Sequence, residues 1–220
     1  LGHNGAGKTT IMKMLTGYLE PSSGHINIDG LSIGSDTGLI QKKIGYLPEN
    51  CPVWPEMTVI DYLEYQALLH KLNTSSIPKL ISQAINKTAL QEKATASIQT
   101  LSRGYRQRVG VAQALLHMPD IIILDEPTNG LDPTQIHHMR DLIKELAETS
   151  TIIVSTHVLQ EVQAVCERVL IMRSGKLVTD SKISHLQASS RLLLTIENTN
   201  INVVDELKKI NSVGNVEKKL

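Results

Sequence analysis

The chain has 220 residues and equal numbers of basic and acidic side chains, 22 of each, so its formal net charge is zero. This balance argues against a broad surface for nucleic acid or anionic lipid, and we expect no nucleic-acid partner. The two cysteines, Cys51 and Cys166, match no metal-binding or redox spacing, and no apolar run approaches the roughly 18 residues of a membrane span.

The first predicted element is a helix over residues 9–19, where apolar side chains recur at helical spacing until "EPSSG" interrupts them. Residues 24–30 alternate isoleucine with polar side chains between glycines and predict a short strand. The stretch "KKIGYLPE" predicts another strand, which ends at Pro48.

The middle of the chain is predicted to be helical. Residues 58–72 form a helix with Thr58 as its N-cap and Asp61 as the acidic partner of a capping box. The polar, Ser/Thr/Gln-rich segment that follows contains shorter helical stretches. Ser102 is placed to cap a further helix over residues 102–117, which the approaching proline ends.

Strands and helices alternate in the next part of the chain. "DIIILDEP" and "TIIVST" are short apolar runs, typical of strands buried on both faces of a parallel sheet. Asp132 and Pro133 begin the helix between them, and another helix is predicted over 158–169. "RVLIMRSGKLVTD" predicts a hairpin that turns at Ser174 and Gly175. The alternation indicates an α/β fold with a largely parallel sheet.

The opening residues carry a phosphate-binding pattern. Gly2, Gly7, Lys8 and Thr9 satisfy G-x-x-x-x-G-K-[ST], the P-loop. Glycines allow successive N–H groups to point at one anion, and the following helix N-terminus adds partial positive charge. Lys8 brings a charge to the β- and γ-phosphates, and the Thr9 hydroxyl is a Mg²⁺ ligand. The predicted nucleotide-binding residues are Gly2, His3, Asn4, Gly5, Ala6, Gly7, Lys8, Thr9 and Thr10.

Two acids and a histidine follow the buried strands. Asp125 and Glu126 end the first apolar run, and His157 follows the second. Ligands of open α/β sheets bind outside the carboxyl ends of the strands, where these side chains emerge. We expect Asp125 to hold Mg²⁺, Glu126 to deprotonate the attacking water with Lys8 balancing charge, and His157 to donate a hydrogen bond to the γ-phosphate.

Together these motifs resemble the nucleotide-binding domain of ATP-binding cassette (ABC) transporters. "GHNGAGKT" is similar to Walker A, "IIILDE" to Walker B, "NGLD" to the D-loop that ends at Asp132, and "LSRGYRQRVGVAQAL" occupies the position of the signature motif. The resemblance extends over residues 1–185. It implies a P-loop NTPase core over 1–49 and 119–185, an inserted helical subdomain over 50–118, and part of a small α+β extension over 186–220.

The resemblance also implies a pair of such domains, either a head-to-tail homodimer or a pair with a second ATPase subunit. Ser102, Arg103 and Gly104 of one domain would then contact the ATP held by the other. Two departures from the family pattern lie near this contact, because Arg103 and Tyr105 replace a glycine and a glutamine of the usual signature. At the Q-loop, Glu49 stands where the family has glutamine, and a carboxylate is still able to bind Mg²⁺.

The function that follows from the resemblance is that of an ATPase subunit with ATP and Mg²⁺ as ligands. It would lie peripherally at the cytoplasmic face of the inner membrane, bound to a transmembrane permease, as in bacterial exporters of the gliding-motility and sodium- or drug-efflux types. Trp54 either packs the helical subdomain or faces the permease.

The alternatives are a soluble ABC ATPase acting on the ribosome or DNA, and a binding module that does not hydrolyse ATP. Since the chain opens inside a motif, we expect upstream sequence.

Overall fold

The computed structural model of the protein describes residues 1–187. These residues contain the whole of the region 1–185 for which the sequence predicts an ATP-binding domain. The accessory domain predicted over 186–220 lies outside the described residues, apart from its first two positions.

Helices and strands alternate as the sequence predicts, and the predicted α/β fold is confirmed. The helices are α1 (Lys8–Leu15), α2 (Thr37–Lys43), α3 (Val59–Leu69), α4 (Ile77–Lys87), α5 (Arg103–Leu115), α6 (Pro133–Ala147), α7 (Leu159–Val165) and α8 (Ile183–Gln187). The strands are β1 (Asn27–Ile28), β2 (Leu31–Ser32), β3 (Ile44–Leu47), β4 (Ile121–Asp125), β5 (Thr151–Ser155), β6 (Arg168–Arg173) and β7 (Lys176–Lys182).

A parallel sheet of three strands, in the order β3-β4-β5, forms the centre of the fold. Two of its strands, β4 and β5, are the apolar, β-branched runs that the sequence marks as buried on both faces. This prediction is confirmed for β4, whereas β5 has only β4 as a neighbour among the described strands and is mostly half-buried. In the pairing of β4 with β5, Asp125 lies beside Ser155 at the carboxyl end of the sheet. The register therefore brings the segments after both strands to the same edge.

The two faces of β4 are covered by different helices. Ile123 packs with Met12 of α1 and Ile40 of α2, whereas Ile122 and Leu124 pack with residues of α5 and α6. Successive side chains of a strand point to opposite faces, so a continuous apolar run is what a strand between two helical layers requires. Helices α3, α4 and α5 share a separate core of aliphatic residues around Tyr62.

The opening loop packs against the hairpin of β6 and β7, which turns at Ser174 and Gly175 as predicted. The N–H of Gly175 donates to the carbonyl of Ala6 at 3.0 Å. A β-carbon on Gly2 would lie 2.6 Å from the main-chain oxygen of Met172, so only glycine fits there without a shift of the backbone. This close packing fixes where the loop presents its amides.

Several predicted helix ends were wrong. Helix α1 ends at Leu15 and not at residue 19, because the Thr16 hydroxyl donates to the carbonyl of Met12 and Gly17 takes a φ of 72°. Helix α7 covers Leu159–Val165 and not 158–169, because the chain becomes extended at Cys166 to enter β6. Helices α3 and α5 each stop two or three residues early. The strand predicted at 24–30 is the first arm of a small hairpin, β1-β2.

Candidate functional site

The loop of residues 2–7 leads directly into the N-terminus of α1. Gly7 is the N-cap with a φ of 99° and no side-chain cap, and Gly5 has a φ of 79°. The first hydrogen bond into the helix runs from Ile11 N–H to the carbonyl of Gly7, at 3.0 Å. The N–H groups of the first helical turn thus lack partners within the helix and form an anion site. Ala6 is buried, whereas His3 and Asn4 are exposed.

Lys8 is buried to 6% exposure at the base of this loop. Its ammonium donates to the carbonyl of Gly2 at 2.8 Å and, less closely, to that of His3 at 3.4 Å. It also lies 3.2 Å from Oε1 of Glu126. A buried ammonium needs hydrogen-bond acceptors and a counter-charge, and this one has both.

Glu126 connects Lys8 to His157. Its carboxylate is 4% exposed, and its Oε2 accepts a hydrogen bond from Nδ1 of His157 at 2.9 Å. The backbone of Glu126 takes a φ of 48°, a left-handed conformation that costs a non-glycine residue roughly 1–3 kcal/mol. Its N–H donates to both the carbonyl and the hydroxyl of Ser155, which hold the residue in this conformation. The structure therefore brings together Lys8, Glu126 and His157, as the motif spacing predicts.

Asp125 is completely buried beside this cluster. Its Oδ1 accepts a hydrogen bond from the Ser155 hydroxyl, while its Oδ2 has no hydrogen-bond partner among the described residues. Buried carboxylate oxygens are rarely left without a partner. An oxygen ligand of this kind suits Mg²⁺, and the amides near Lys8 suit phosphate. The residues present thus fit a magnesium triphosphate.

The other predicted site residues lie on neighbouring loops and helix starts. Glu49 is exposed and accepts a hydrogen bond from Nδ2 of Asn129 at 3.3 Å. Asp132 caps α6 by accepting from the N–H of Gln135 at 2.9 Å, so its first role in this fold is structural. Neither residue forms a hydrogen bond or ion pair with Lys8, Asp125 or Glu126 within residues 1–187.

The signature segment begins α5 and packs against α6 and the D-loop of the same chain. Ser102 caps α5 by accepting from Tyr105 N–H at 3.4 Å. The Arg103 guanidinium lies so close to Gly130 that a β-carbon there would be 2.5 Å from its Nη1. Gly104 faces Gln135, whose Oε1 would be 2.6 Å from a β-carbon on Gly104. Arg103, which departs from the family signature, is thus a contact between the signature helix and the D-loop.

Two parts of the site were not predicted. Ser155 contacts both acids, and the signal available in the sequence was its position near the end of "TIIVST", two residues before His157. Glu161 accepts hydrogen bonds from the hydroxyls of Thr128 and Thr156, at 2.6 and 2.7 Å. Nothing in the sequence pattern singled it out, because an acid in the first turn of a helix is common at that position.

Comparison with known proteins agrees with these motifs. A family profile described as "ABC transporter" matches residues 1–129. An uncharacterised ABC transporter ATP-binding protein of Methanocaldococcus jannaschii is 38% identical over 187 residues, which are 84% of this chain and 67% of that protein. The ABC transporter ATP-binding protein NatA of Bacillus subtilis is 36% identical over 193 residues, 87% of this chain and 78% of NatA.

Solved structures agree on the fold. The structure of cbiO1 from Clostridium perfringens, described as part of the ABC transporter complex cbiONQ, aligns with a TM-score of 0.77 at 28% identity. The alignment covers 94% of this chain and 81% of cbiO1. None of the helices within residues 1–187 combines the length and the apolar character that a membrane crossing requires.

Proposed function

This chain belongs to the ABC transporter family, whose ATP-binding domains are ATPases that use Mg²⁺, and we propose that Glu126 is the catalytic base of its ATPase site. The observation that carries the proposal is the contact of one buried carboxylate with both Lys8 and His157. Asp125, one of whose oxygens has no hydrogen-bond partner in the described part of the chain, lies next to it in the sequence. A base, a phosphate-binding cation and a metal ligand are the groups that phosphoryl transfer to water needs.

Each residue has a defined task in this reaction. The amides at the start of α1 and the Lys8 ammonium bind the β- and γ-phosphates. Thr9 and Asp125, together with Glu49 of the Q-loop, would hold the magnesium ion. When bound, the ion neutralises charge that develops on the phosphate oxygens.

Glu126 accepts the proton of the water whose oxygen attacks the γ-phosphorus, and the bond to the ADP oxygen breaks. The hydrogen bond from Nδ1 of His157 orients the Glu126 carboxylate. In the imidazolium form Nε2 carries a second proton, which it donates to the γ-phosphate. Lys8 is the counter-ion of Glu126 in this structure. As Lys8 turns to a bound phosphate, the carboxylate becomes free to take the proton.

The test is Glu126→Gln in the full-length protein. Loss of a general base lowers turnover by roughly a hundredfold to ten-thousandfold, whereas binding of ATP should persist because the amides and Lys8 are untouched. Glu145→Gln, on the exposed face of α6, is the matched control and should turn over ATP like the wild type. Equal turnover of Glu126→Gln and the wild type would remove Glu126 from this role.

We further propose that the chain powers a separate transmembrane permease and lies at the cytoplasmic face of the inner membrane. The family supports this proposal. So does Trp54, which is 48% exposed and packs against Tyr65 in a tilted arrangement with ring centroids 4.7 Å apart. Trp54 thus both packs the helical part and offers an aromatic surface to a partner. The protein should copurify with membranes, and Trp54→Ser should weaken that association without lowering ATP turnover. Copurification with ribosomes instead would contradict this assignment.

Head-to-tail pairing of two ATPase domains completes the proposal. The exposed Ser102 and, two residues later, the buried Gly104 lie at the N-terminus of α5, where the first amides of the helix suit the γ-phosphate of a partner's ATP. In the Glu126→Gln background, ATP should convert monomers to dimers in size-exclusion chromatography. Ser102→Arg should prevent this conversion, because a bulky side chain would occupy the contact. Dimerisation of that variant at the same ATP concentration would argue against this geometry.

A further inference from the structure

The two loops that carry Glu126 and His157 are joined by a third element, helix α7. The hydroxyl of Thr128, two residues after Glu126, donates to Oε1 of Glu161 at 2.6 Å. The hydroxyl of Thr156, one residue before His157, donates to Oε2 of the same carboxylate at 2.7 Å. One side chain of α7 thus binds both loops with its two oxygens.

This junction is buried and its hydrogen bonds are short. Glu161 is 8% exposed, and Thr128 and Thr156 are buried as well. Distances of this size are typical of hydrogen bonds from a hydroxyl to an ionised carboxylate. Such hydrogen bonds are about twice as strong as those between neutral groups. Thr156 Oγ1 also accepts from the N–H of Val158 at 3.1 Å, which leaves its proton for Glu161. A small cavity of about 10 Å³ lies beside the junction, and the side chain of Arg140 from α6 contributes a positive charge to its lining.

The junction lies where the sheet no longer holds the loops together. The ladder between β4 and β5 ends at the pair of Asp125 and Ser155. One main-chain hydrogen bond follows it, from the N–H of Glu126 to the carbonyl of Ser155. Beyond that point Thr128 and Thr156 depend on side chains for their relative position. The N–H of Gly2 in the phosphate loop also donates to the carbonyl of Thr156, at 3.3 Å.

We propose that Glu161 is a positioning residue that holds the Glu126 loop and the His157 loop in register for the reaction. Within residues 1–187 its carboxylate forms no hydrogen bond or ion pair with Lys8 or Glu126, and it acts through Thr128 and Thr156. The hydrogen bond between Glu126 and His157 is 2.9 Å long and requires both loops to be in place, because such bonds form only over a narrow range of distances. This inference rests on the proposed catalytic role of Glu126.

Removing one hydroxyl at a time tests the inference, because valine has nearly the shape of threonine. In the full-length protein, Thr128→Val and Thr156→Val should each lower kcat by roughly tenfold to a hundredfold, since a small misplacement of catalytic groups has effects of that order. KM for ATP should stay at the wild-type value. Thr128→Ser and Thr156→Ser keep a hydroxyl and should restore kcat.

The matched control is Thr88→Val. Thr88 is 1% exposed and is the C-cap of α4, where its hydroxyl donates to the carbonyl of Ala84. It lies far along the chain from Glu126 and His157. Thermal unfolding of all variants measures the stability that each hydroxyl contributes. Thr88→Val should lose stability as the other valine variants do, yet keep the kcat of the wild type in its folded fraction.

The Glu126→Gln background separates this inference from the proposed function. If Glu161 acts through Glu126, Thr128→Val lowers turnover in the wild-type background and has no further effect in Glu126→Gln. Wild-type kcat in folded Thr128→Val and Thr156→Val, together with low turnover in Glu126→Gln, would overturn the positioning role alone. Wild-type turnover in Glu126→Gln would overturn the proposed function instead. Failure of the serine variants to restore kcat would also count against Glu161.

Discussion

Ser155 is the residue on which the geometry of both acids depends, and Ser155→Ala is the sharpest test of the site. Its hydroxyl donates to Oδ1 of the completely buried Asp125 and accepts from the N–H of Glu126 at 3.2 Å. Asp125 has no other hydrogen-bond donor among the described residues. Alanine would therefore leave a buried carboxylate without a partner.

The structure sets the size of the effect. The Glu126 N–H keeps its second acceptor, the main-chain carbonyl of Ser155 at 3.1 Å, so the variant loses essentially one hydrogen bond to a charged group. Such a bond contributes about 1.5–3 kcal/mol to the free energy of unfolding. For a domain of this size the expected fall in Tm is roughly 3–12 °C. ATP turnover should fall as well, because Asp125 loses the contact that orients it.

Urea denaturation of the wild type, Ser155→Ala and Ser150→Ala measures this difference. The Ser150 hydroxyl donates to the carbonyl of Pro119 at 3.0 Å, a neutral acceptor, so its removal should cost only about 0.5–1.5 kcal/mol. If Ser155→Ala unfolds at the same urea concentration as the wild type, the hydroxyl does not stabilise the buried Asp125 carboxylate.

Two further predictions concern other parts of the domain. Gly130→Ala should destabilise the protein by about 1–2 kcal/mol in urea denaturation, since φ is 69° there. Because the Arg103 guanidinium fills the space of the new β-carbon, the cost should be smaller in an Arg103→Ala background, and an equal cost in both would rule out crowding. Burial lowers the pKa of His117 from 6.5 to about 4, so the stability that its neutral form contributes above pH 6.5 should be lost as pH falls toward 4. In His117→Gln the free energy of unfolding should depend less on pH in that window, whereas the control His25→Gln, at an exposed position, should behave like the wild type. The same pH dependence in His117→Gln and the wild type would show that His117 is not the titrating group.

The elements that the sequence predicted correctly depend on neighbours within a few residues. Thr58, Ser102 and Asp132 each begin a helix as predicted, because a cap is a contact between a side chain and an N–H three residues later. Helix ends were less predictable. The end of α7 at Val165 is decided by the pairing of β6 with a strand further along the chain, which no local pattern specifies.

The sequence by itself determined the family, the phosphate loop and the identity of the acids, because spacing along the chain and helix amides are local properties. Only the tertiary structure decided which atoms meet. Lys8 contacts Glu126 across more than a hundred residues, Glu161 binds two loops at once, and Arg103 covers Gly130. These contacts follow from the register of parallel strands and from side-chain conformations in a packed interior. Both depend on residues far apart in the sequence, so local sequence patterns do not predict them.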